Sequence, residues 1–375
     1  GLQNREDGEK FFSMTVLALR LSCVSNGVSA LHGAVSKSMW AHLWPDIPER
    51  ENPITSITNG VHTLTWMAPK MAEFLTKMLG DEWQHRIADS GFWQAFEHAD
   101  SEQLQASKKA MKAELIAFVR QRLRMQYQRH GASQEKLEAL ENWLDPEVLT
   151  IGFARRFATY KRALLIFKDI ERIKNIINHP QRPVQLLFAG KAHPADERGQ
   201  ALIREIWRLS QMPEFAGKII LLENYDMRMG RALVQGVDVW LNNPRRPQEA
   251  SGTSGQKVPI NGGINFSVLD GWWPEAFRGD NGWTIGRDED YANHEAQDHE
   301  DAYSLYDTLE NFIIPLYYGE HSSEGKAWPD FMKASLRTIL PAFNTEMMVR
   351  NYFEKMYKIA IDNAEKIKHE PQLVS

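Results

Sequence analysis

The middle of the chain alternates short apolar runs with longer amphipathic stretches, and this alternation limits the possible folds more than any other feature. Four apolar runs have the length and composition of buried strands: 148–153, 184–190, 218–222 and 237–241. Three helices are predicted between them: 161–178, near 197–210 and near 229–235. Such alternation is typical of a parallel sheet with crossover helices. We therefore predict an α/β fold built on a Rossmann-like parallel sheet.

Helical patterns dominate on both sides of this alternating region. Residues 11–42 are predicted as helices interrupted at Ser25–Gly27, and 67–142 are predicted as almost entirely helical. Residues from about 303 onward are helical again, and an acidic loop is predicted from Asp288 to Asp301. We therefore expect three units: a helical segment at 1–66, a helical insertion at 67–147, and a Rossmann-like lobe with closing helices at 148–375.

Composition excludes several classes of protein. With 44 basic and 49 acidic residues the net charge is −5, which argues against a nucleic-acid surface. The single cysteine, Cys23, excludes an internal disulfide, and no apolar run approaches the roughly 18 residues of a membrane span. We therefore predict a cytoplasmic protein with no membrane or nucleic-acid partner.

Polar residues follow the predicted strands at the points where ligands of parallel sheets bind. These candidates for one shared site are Arg155-Arg156, Gly190-Lys191, Glu223-Asn224-Tyr225 and Asn242-Asn243. The first of them opens a basic turn with four cations in eight residues, which are Arg155, Arg156, Lys161 and Arg162. Because a helix N-terminus also favours anions, this turn is interpreted as a phosphate site rather than a solvated basic face.

The segment Glu249–Lys257 combines one carboxylate, several small residues and one lysine. Small residues allow backbone N–H groups to converge on an anion. A lysine beside them can contact a phosphate or form a Schiff base with a carbonyl, and the glutamate can accept hydrogen bonds from sugar hydroxyls. The segment therefore predicts a site where phosphate, an amine-reactive cofactor and a polyol meet.

Other chemistries have weaker support in the sequence. Gly190-Lys191 lacks the remaining residues of a P-loop, no GxGxxG follows a strand, and two carboxylates arranged for glycoside hydrolysis are not evident. The acidic loop contains His294, Glu295, Asp298 and His299, but their spacing imposes no metal geometry, so no metal site is predicted. Trp272-Trp273 is compatible with either a core position or a sugar platform.

Glu249–Lys257, followed by Val258–Gly262, resembles the pyridoxal-phosphate segment of α-glucan phosphorylases, with the pattern E-A-S-G-T-x-x-x-K-x-x-x-N-G. Five further motifs of that family occur in order: Asn26-Gly27-Val28 with His32, Thr58-Asn59-Gly60, Arg155–Arg162, Gly190-Lys191-Ala192 and Glu223-Asn224-Tyr225. The closing helices are similar to those of short bacterial or archaeal members without control by phosphorylation.

The resemblance implies a GT-B fold of two Rossmann-like lobes with the site in the cleft between them. All of these motifs belong to the second, carboxyl-terminal lobe of the family and the connection into it. The resemblance therefore implies phosphorolysis of α-1,4-glucan, such as glycogen or maltodextrin, to glucose 1-phosphate. It also implies that an N-terminal lobe is the chain's partner and that the chain is inactive alone, and it leaves homo-oligomerisation open.

Residue roles follow from the same resemblance. Lys257 is expected to form the Schiff base with pyridoxal 5′-phosphate, whose phosphate serves as acid and base. The residues expected near the cofactor phosphate are Thr253, Ser254, Tyr225 and Arg155, the last replacing the lysine of long-type members. Arg156 and Lys161 are expected to hold the substrate phosphate, and with Lys257 they form the catalytic set. Those expected to contact the glucosyl unit are Glu249, Ser251, Gly252 and Asn26. Asp226 replaces an arginine of long-type members, so no cofactor role is carried over to it.

Two alternatives share this fold. The chain could be a lobe of a nucleotide-sugar-dependent glycosyltransferase similar to glycogen synthases, or a non-catalytic relic that binds oligosaccharide. Lys257 discriminates between a phosphorylase and the glycosyltransferase, because only a phosphorylase needs an amine that holds the cofactor.

Overall fold

The computed structural model of the chain describes residues 2–4, 10–289, 291 and 293–369, and its centre is a six-stranded parallel sheet. Four short strands form two small sheets: β1 (Leu2–Asn4) pairs antiparallel with β2 (Lys10–Phe12), and β3 (Ser25–Gly27) pairs parallel with β4 (Ile54–Ser56). The large sheet contains β5 (Leu149–Ala154), β6 (Val184–Ala189), β7 (Ile219–Leu222), β8 (Val239–Asn242), β9 (Ile264–Val268) and β10 (Gly282–Ile285).

Helices cover both faces of this sheet. The helices that precede it along the chain are α1 (Met14–Leu21), α2 (Ala30–Met39), α3 (Thr63–Trp66), α4 (Pro69–Leu79), α5 (Ser90–Trp93), α6 (Ser101–Arg129) and α7 (Gln134–Ala139). Those between its strands are α8 (Ile170–Ile177), α9 (Glu197–Ser210), α10 (Met227–Gly236), α11 (Ser254–Lys257) and α12 (Trp273–Ala276). Those that follow are α13 (His294–Thr308), α14 (Ile314–Tyr317), α15 (Trp328–Ile339), α16 (Thr345–Tyr352) and α17 (Lys358–His369).

Every residue of β5 and β6 is buried, because these strands are covered on both sides. Successive side chains of a strand point to opposite faces, so Phe153 joins one core while Ala154 joins the other. The core around Phe153 includes apolar side chains of α4, α8, α13 and α15. The core around Ala154 is formed mainly with α6 and α10.

The order of strands creates a switch point beside β5. The strands lie in the order β10-β9-β8-β5-β6-β7, and all neighbouring strands are parallel. The chain runs outward from β5 to β7 and then returns to β8 on the other side of β5. The loops that follow β5 and β8 therefore leave the same edge of the sheet side by side, where ligands of open α/β sheets bind.

The predicted α/β fold with a parallel sheet is confirmed, but three local predictions are wrong. The alternating pattern ended at 241, so β9 and β10 were missed. The helix predicted over 161–178 is only α8, because Arg162 has left-handed backbone geometry (φ 50°) and ends the 3₁₀ turn Thr159–Lys161. The acidic loop predicted from 288 to 301 is helical from His294, where the side chain of Asn293 caps α13 by accepting the Ala296 N–H.

The other predicted helices and loops differ less from the observed structure. The interruption at Ser25–Gly27 is the strand β3, and the helical stretch 67–142 comprises α4 to α7 with 3₁₀ turns between them. Trp272 and Trp273 are fully buried, which places both in the core. In the described part of the chain, none of the helices is both long and apolar enough to cross a membrane.

Candidate anion and cofactor site at the carboxyl edge of the sheet

Two cations and one carboxylate meet at the switch point of the sheet. Arg155 directly follows β5, Lys161 lies in the next 3₁₀ turn, and Glu249 lies in the loop after β8. Arg155 Nη2 donates to Glu249 Oε2 at 2.6 Å, and the Lys161 ammonium donates to the same oxygen. The three side chains are only 7%, 10% and 11% exposed. The cluster therefore carries one positive charge in excess, shielded from water.

The guanidinium of Arg155 is not fully paired. Burial lowers the pKa of Arg155, and the negative charge of Glu249 opposes that shift. Its Nε and Nη1 atoms are buried and have no hydrogen-bond partner among the described residues. A buried donor without an acceptor costs free energy, so an anion that supplied oxygens to these two N–H groups would bind favourably.

The other two cations of the basic turn do not contact Glu249. Arg156 is exposed and makes no hydrogen bond or ion pair with the described residues. Arg162 is buried, where it donates to the Asn243 carbonyl at 3.0 Å and pairs with Asp301 at 2.6 Å and Asp298 at 3.0 Å. Arg162 therefore stabilises the packing of α13 rather than the Arg155–Lys161–Glu249 cluster.

The loop that carries Glu249 is held by the turn after β9. Asp270 Oδ2 accepts the backbone N–H of Glu249 at 2.9 Å, and the Trp272 N–H donates to the Ser251 carbonyl at 2.9 Å. Gly271 has φ 59°, and a Cβ there would lie 2.3 Å from the same carbonyl oxygen. Burial raises the pKa of Asp270 to about 6. Sequence analysis missed Asp270 because it missed β9, after which Asp270 would have stood out as a polar residue at a strand end.

Ser251 and Gly252 continue this loop. The hydroxyl of Ser251 is buried and has no hydrogen-bond partner among the described residues. Gly252 has φ 78°, a conformation that favours glycine, and a Cβ at this position would lie 3.3 Å from Glu249 Cγ. Gly252 thus leaves space beside the Glu249 side chain.

Lys257 ends α11 and faces an aromatic ring. Its Nζ atom lies 3.6 Å from the centroid of the Trp66 ring, and it makes no hydrogen bond or ion pair with the described residues. Burial lowers the pKa of Lys257 from 10.5 to about 8. The neutral, nucleophilic amine is therefore much more populated near pH 7 than it is for a surface lysine. Trp66 was not identified from the sequence, where it carries no motif.

The structure does not join Lys257 to the cation cluster by a direct contact. Glu249, Arg155 and Lys161 contact one another, whereas Lys257 contacts Trp66. In α11, Ser254 Oγ accepts the Trp240 Nε1–H at 3.2 Å, and this hydrogen bond attaches α11 to β8. The amine of Lys257 is nevertheless partly buried rather than on the outer surface.

The other residues expected near a cofactor phosphate are close-packed. A Cβ on Gly255 would lie 2.7 Å from Asn265 Oδ1. The Oδ1 and Nδ2 atoms of Asn265 are buried and have no hydrogen-bond partner among the described residues. A Cβ on Gly230 would lie 2.6 Å from the Tyr225 hydroxyl, and burial raises the pKa of Tyr225. Thr253 is partly buried at the start of α11 and makes no side-chain cap. Gly255 and Gly230 thus leave the space that the Asn265 and Tyr225 side chains occupy.

Asp226 has a structural role in this arrangement. Its Oδ1 accepts the Met229 N–H at 2.7 Å and caps α10, while Oδ2 pairs with Arg122 at 2.7 Å. Both oxygens of its carboxylate are thus engaged within the lobe.

Asn26 lies on β3 and already has partners. Its Nδ2 donates to the Tyr352 hydroxyl at 3.2 Å and to the Gly27 carbonyl at 2.9 Å. Three residues later, Ser29 Oγ donates to the Ala250 carbonyl at 2.8 Å. The first part of the chain thus touches the Glu249 loop through Ser29 rather than through Asn26.

The residues present fit pyridoxal phosphate by their chemistry. An amine with a lowered pKa suits the aldehyde, and the unpaired N–H groups of Arg155 suit a phosphate. Among the described residues, no three or more side chains of His, Cys, Asp or Glu lie together as metal ligands would.

Comparison with known proteins finds a matching family and several relatives of this chain. The profile of the family described as carbohydrate phosphorylase matches residues 3–317. The chain is 46% identical to a maltodextrin phosphorylase of Thermococcus litoralis over 353 residues, which cover 94% of this chain and 41% of that protein. It is 41% identical to a glycogen phosphorylase of Aquifex aeolicus (94% of this chain, 50% of that protein). It is 40% identical to a glycogen phosphorylase of Mycobacterium tuberculosis H37Rv (94% and 41%). The chain thus spans about half the length of these relatives, or less.

Proposed function

The chain belongs to the carbohydrate phosphorylase family, and from this premise we propose that it is the cofactor-bearing lobe of an α-glucan phosphorylase. The reaction would be phosphorolysis of an α-1,4-glucan by inorganic phosphate to glucose 1-phosphate. The names of the relatives support glycogen or maltodextrin as the glucan. The observation that carries the proposal is the buried Arg155–Lys161–Glu249 cluster, with unpaired Arg155 N–H groups, at the switch point of the sheet.

Lys257 would hold pyridoxal phosphate through its ε-amino group, with Thr253, Ser254, Tyr225 and Arg155 near the cofactor phosphate. When bound, the cofactor supplies a phosphate with a second pKa near 6, suited to proton exchange at neutral pH. Arg156 and Lys161 would hold the substrate phosphate. Because two phosphates repel each other strongly at short range, these cations are needed to let them approach.

The sugar would be recognised on the other side of the same loop. Glu249, Ser251 and Gly252 would contact the glucosyl unit, with Asn26 on β3. Water must be excluded, since it would divert the glucosyl unit to free glucose. We propose that an N-terminal lobe closes this site, with 1–66 as the connecting segment, 67–147 as the helical insertion and 148–375 as the lobe that carries the cofactor. The chain alone would then be inactive.

Reductive trapping tests the cofactor assignment. The chain is incubated with pyridoxal phosphate, reduced with borohydride, digested and analysed by mass spectrometry. We expect one major pyridoxyl adduct, on Lys257, and its loss in Lys257→Arg, whose side chain cannot condense with an aldehyde. Lys168→Arg, at an exposed lysine, is the matched control and should keep the adduct. A wild-type chain labelled only on other lysines would contradict the proposal and would favour a glycosyltransferase lobe or a binding relic.

A further inference from the structure

The Glu249 carboxylate occupies the position between Arg155 and Lys161 that an anion oxygen would take. One oxygen of Glu249 accepts from both cations. A phosphate at this position would place more charge and more oxygens against the same donors. It would also reach the Nε and Nη1 atoms of Arg155, which Glu249 leaves without partners.

Hydrogen bonds hold the backbone of the loop around Glu249, whereas the side chain of Glu249 can rotate. Asp270 holds the Glu249 N–H, and the Trp272 N–H holds the Ser251 carbonyl. The side chain of Glu249 has three rotatable bonds and is bound only through its carboxylate. Loss of the two ion pairs would therefore free the carboxylate to rotate without disturbing the loop.

We propose that Glu249 is an internal competitor for phosphate groups, displaced from Arg155 by the cofactor phosphate and from Lys161 by the substrate phosphate, and then available to sugar hydroxyls. This inference rests on the proposed function, since it assigns an order of events to the same site. A ligand shifts an equilibrium only by its difference in affinity for the two states. Phosphate binds only where the carboxylate has left, and the sugar needs the released carboxylate, so the two ligands would favour each other.

The competition predicts that removing the carboxylate strengthens anion binding. Inorganic phosphate is titrated calorimetrically into the wild-type chain and into Glu249→Gln, which keeps the size of the side chain and removes its charge. Coupling between sites typically amounts to 5–150-fold, and we expect phosphate to bind Glu249→Gln about ten-fold more tightly than the wild type. A residue that merely helped to form the phosphate site would give the opposite sign.

The matched control removes a carboxylate from an ion pair at the other edge of the sheet. Glu147 precedes β5 and pairs with Lys109 at 2.5 Å in an exposed position. Glu147→Gln changes the net charge equally and should leave phosphate affinity unchanged. If Glu249→Gln does not fold, Glu249→Asp is the second variant. Its carboxylate is one methylene shorter and cannot reach both cations, so phosphate should again bind more tightly than in the wild type.

The outcomes separate this inference from the proposed function. Equal or weaker phosphate binding by a folded Glu249 variant would overturn the competition, while Lys257 labelling would still support a phosphorylase lobe. Equal tightening in Glu147→Gln would show a general charge effect and would also overturn it. If neither wild type nor variant bound phosphate, the cation cluster would not be an anion site, and both proposals would fail.

Discussion

Lys257 differs from a surface lysine because its ammonium is partly desolvated against an indole ring. Burial lowers its pKa to about 8, so the amine becomes neutral at a lower pH than the usual 10.5. We expect the rate of pyridoxal-phosphate attachment to rise up to about pH 8 and then level, measured by reductive labelling at constant ionic strength. For exposed lysines the rate should continue to rise toward pH 10.

The cause of that shift can be checked at the neighbouring residue. Trp66→Ala would admit water to the amine of Lys257, so the midpoint of the profile should move toward 10.5. Trp207→Ala removes a partly buried indole that packs against Tyr127, not Lys257, and should leave the midpoint in place. An unchanged midpoint in Trp66→Ala would show that this ring does not desolvate the amine.

At the scale of single elements, α10 gives a structural role to Asp226, which replaces an arginine of long-type family members. Asp226 caps this helix and pairs with Arg122. Asp226→Ala should lower the free energy of unfolding by about 1 kcal/mol, the usual cost of losing an N-cap, in urea denaturation. Asp226→Asn, an equally good cap, should lose much less. Lys257 labelling should survive in both variants, and its loss in Asp226→Ala alone would instead indicate a role in the cofactor site.

The sequence predicted those elements whose formation depends on neighbouring residues in the chain, and it missed those that depend on distant contacts or on very short runs. The strands β5 to β8 were predictable because each is a buried apolar run followed or preceded by an amphipathic helix. The sequences of β9 and β10 are runs of five and four residues without a long helix between them, so periodicity had little to detect. The first turns of the helix predicted at 161–178 are absent, because the backbone of Arg162 is left-handed while its side chain pairs with Asp301, which is a contact between distant parts of the chain.

The same distinction holds for the site. The position of Arg155 at a strand end followed from the pattern, and the motifs implied the roles of Arg155 and Glu249. The contact between Arg155 and Glu249 could not be predicted, because it requires β8 to lie beside β5. Hydrophobic periodicity does not reveal the order of strands in a sheet. Trp66 was missed for the same reason, and Asp270 was missed because β9 was missed. Each acts through a neighbour that only the folded chain provides.

At the scale of the whole molecule, the first part of the chain packs against the sheet lobe. Glu275 accepts the Ala30 N–H at 2.8 Å and the Thr58 hydroxyl at 2.7 Å. Gln256 Nε2 donates to the Asn59 carbonyl at 2.8 Å, next to the lysine-bearing turn. The segment proposed as a connection is therefore also a structural support for α11, and its loss should affect the site.

Gly60 packs directly against the backbone of Asn344, with no space for a side chain between them. A Cβ there would lie 2.1 Å from the Asn344 carbonyl oxygen and 2.4 Å from its carbonyl carbon, and backbone cannot yield as a flexible side chain does. On either side of this contact, the Val61 N–H donates to Phe343 and the Thr345 N–H donates to Val61, both at 3.1 Å. Gly60→Ala must therefore separate 58–61 from the start of α16. Overpacking typically costs about 1–3 kcal/mol, and we expect a loss near the upper end.

The measurement is urea denaturation followed by circular dichroism and by reductive labelling of Lys257 in parallel. Because the two parts share one packed unit, both signals should shift to lower urea together in Gly60→Ala. Gly91→Ala is the control, since its Cβ would meet only an Asp89 side-chain oxygen at 3.3 Å, and it should stay within about 1 kcal/mol of wild type. If labelling failed in Gly60→Ala while the circular dichroism transition stayed in place, the first segment would unfold independently. The site would then depend on a support that the core of the lobe does not stabilise.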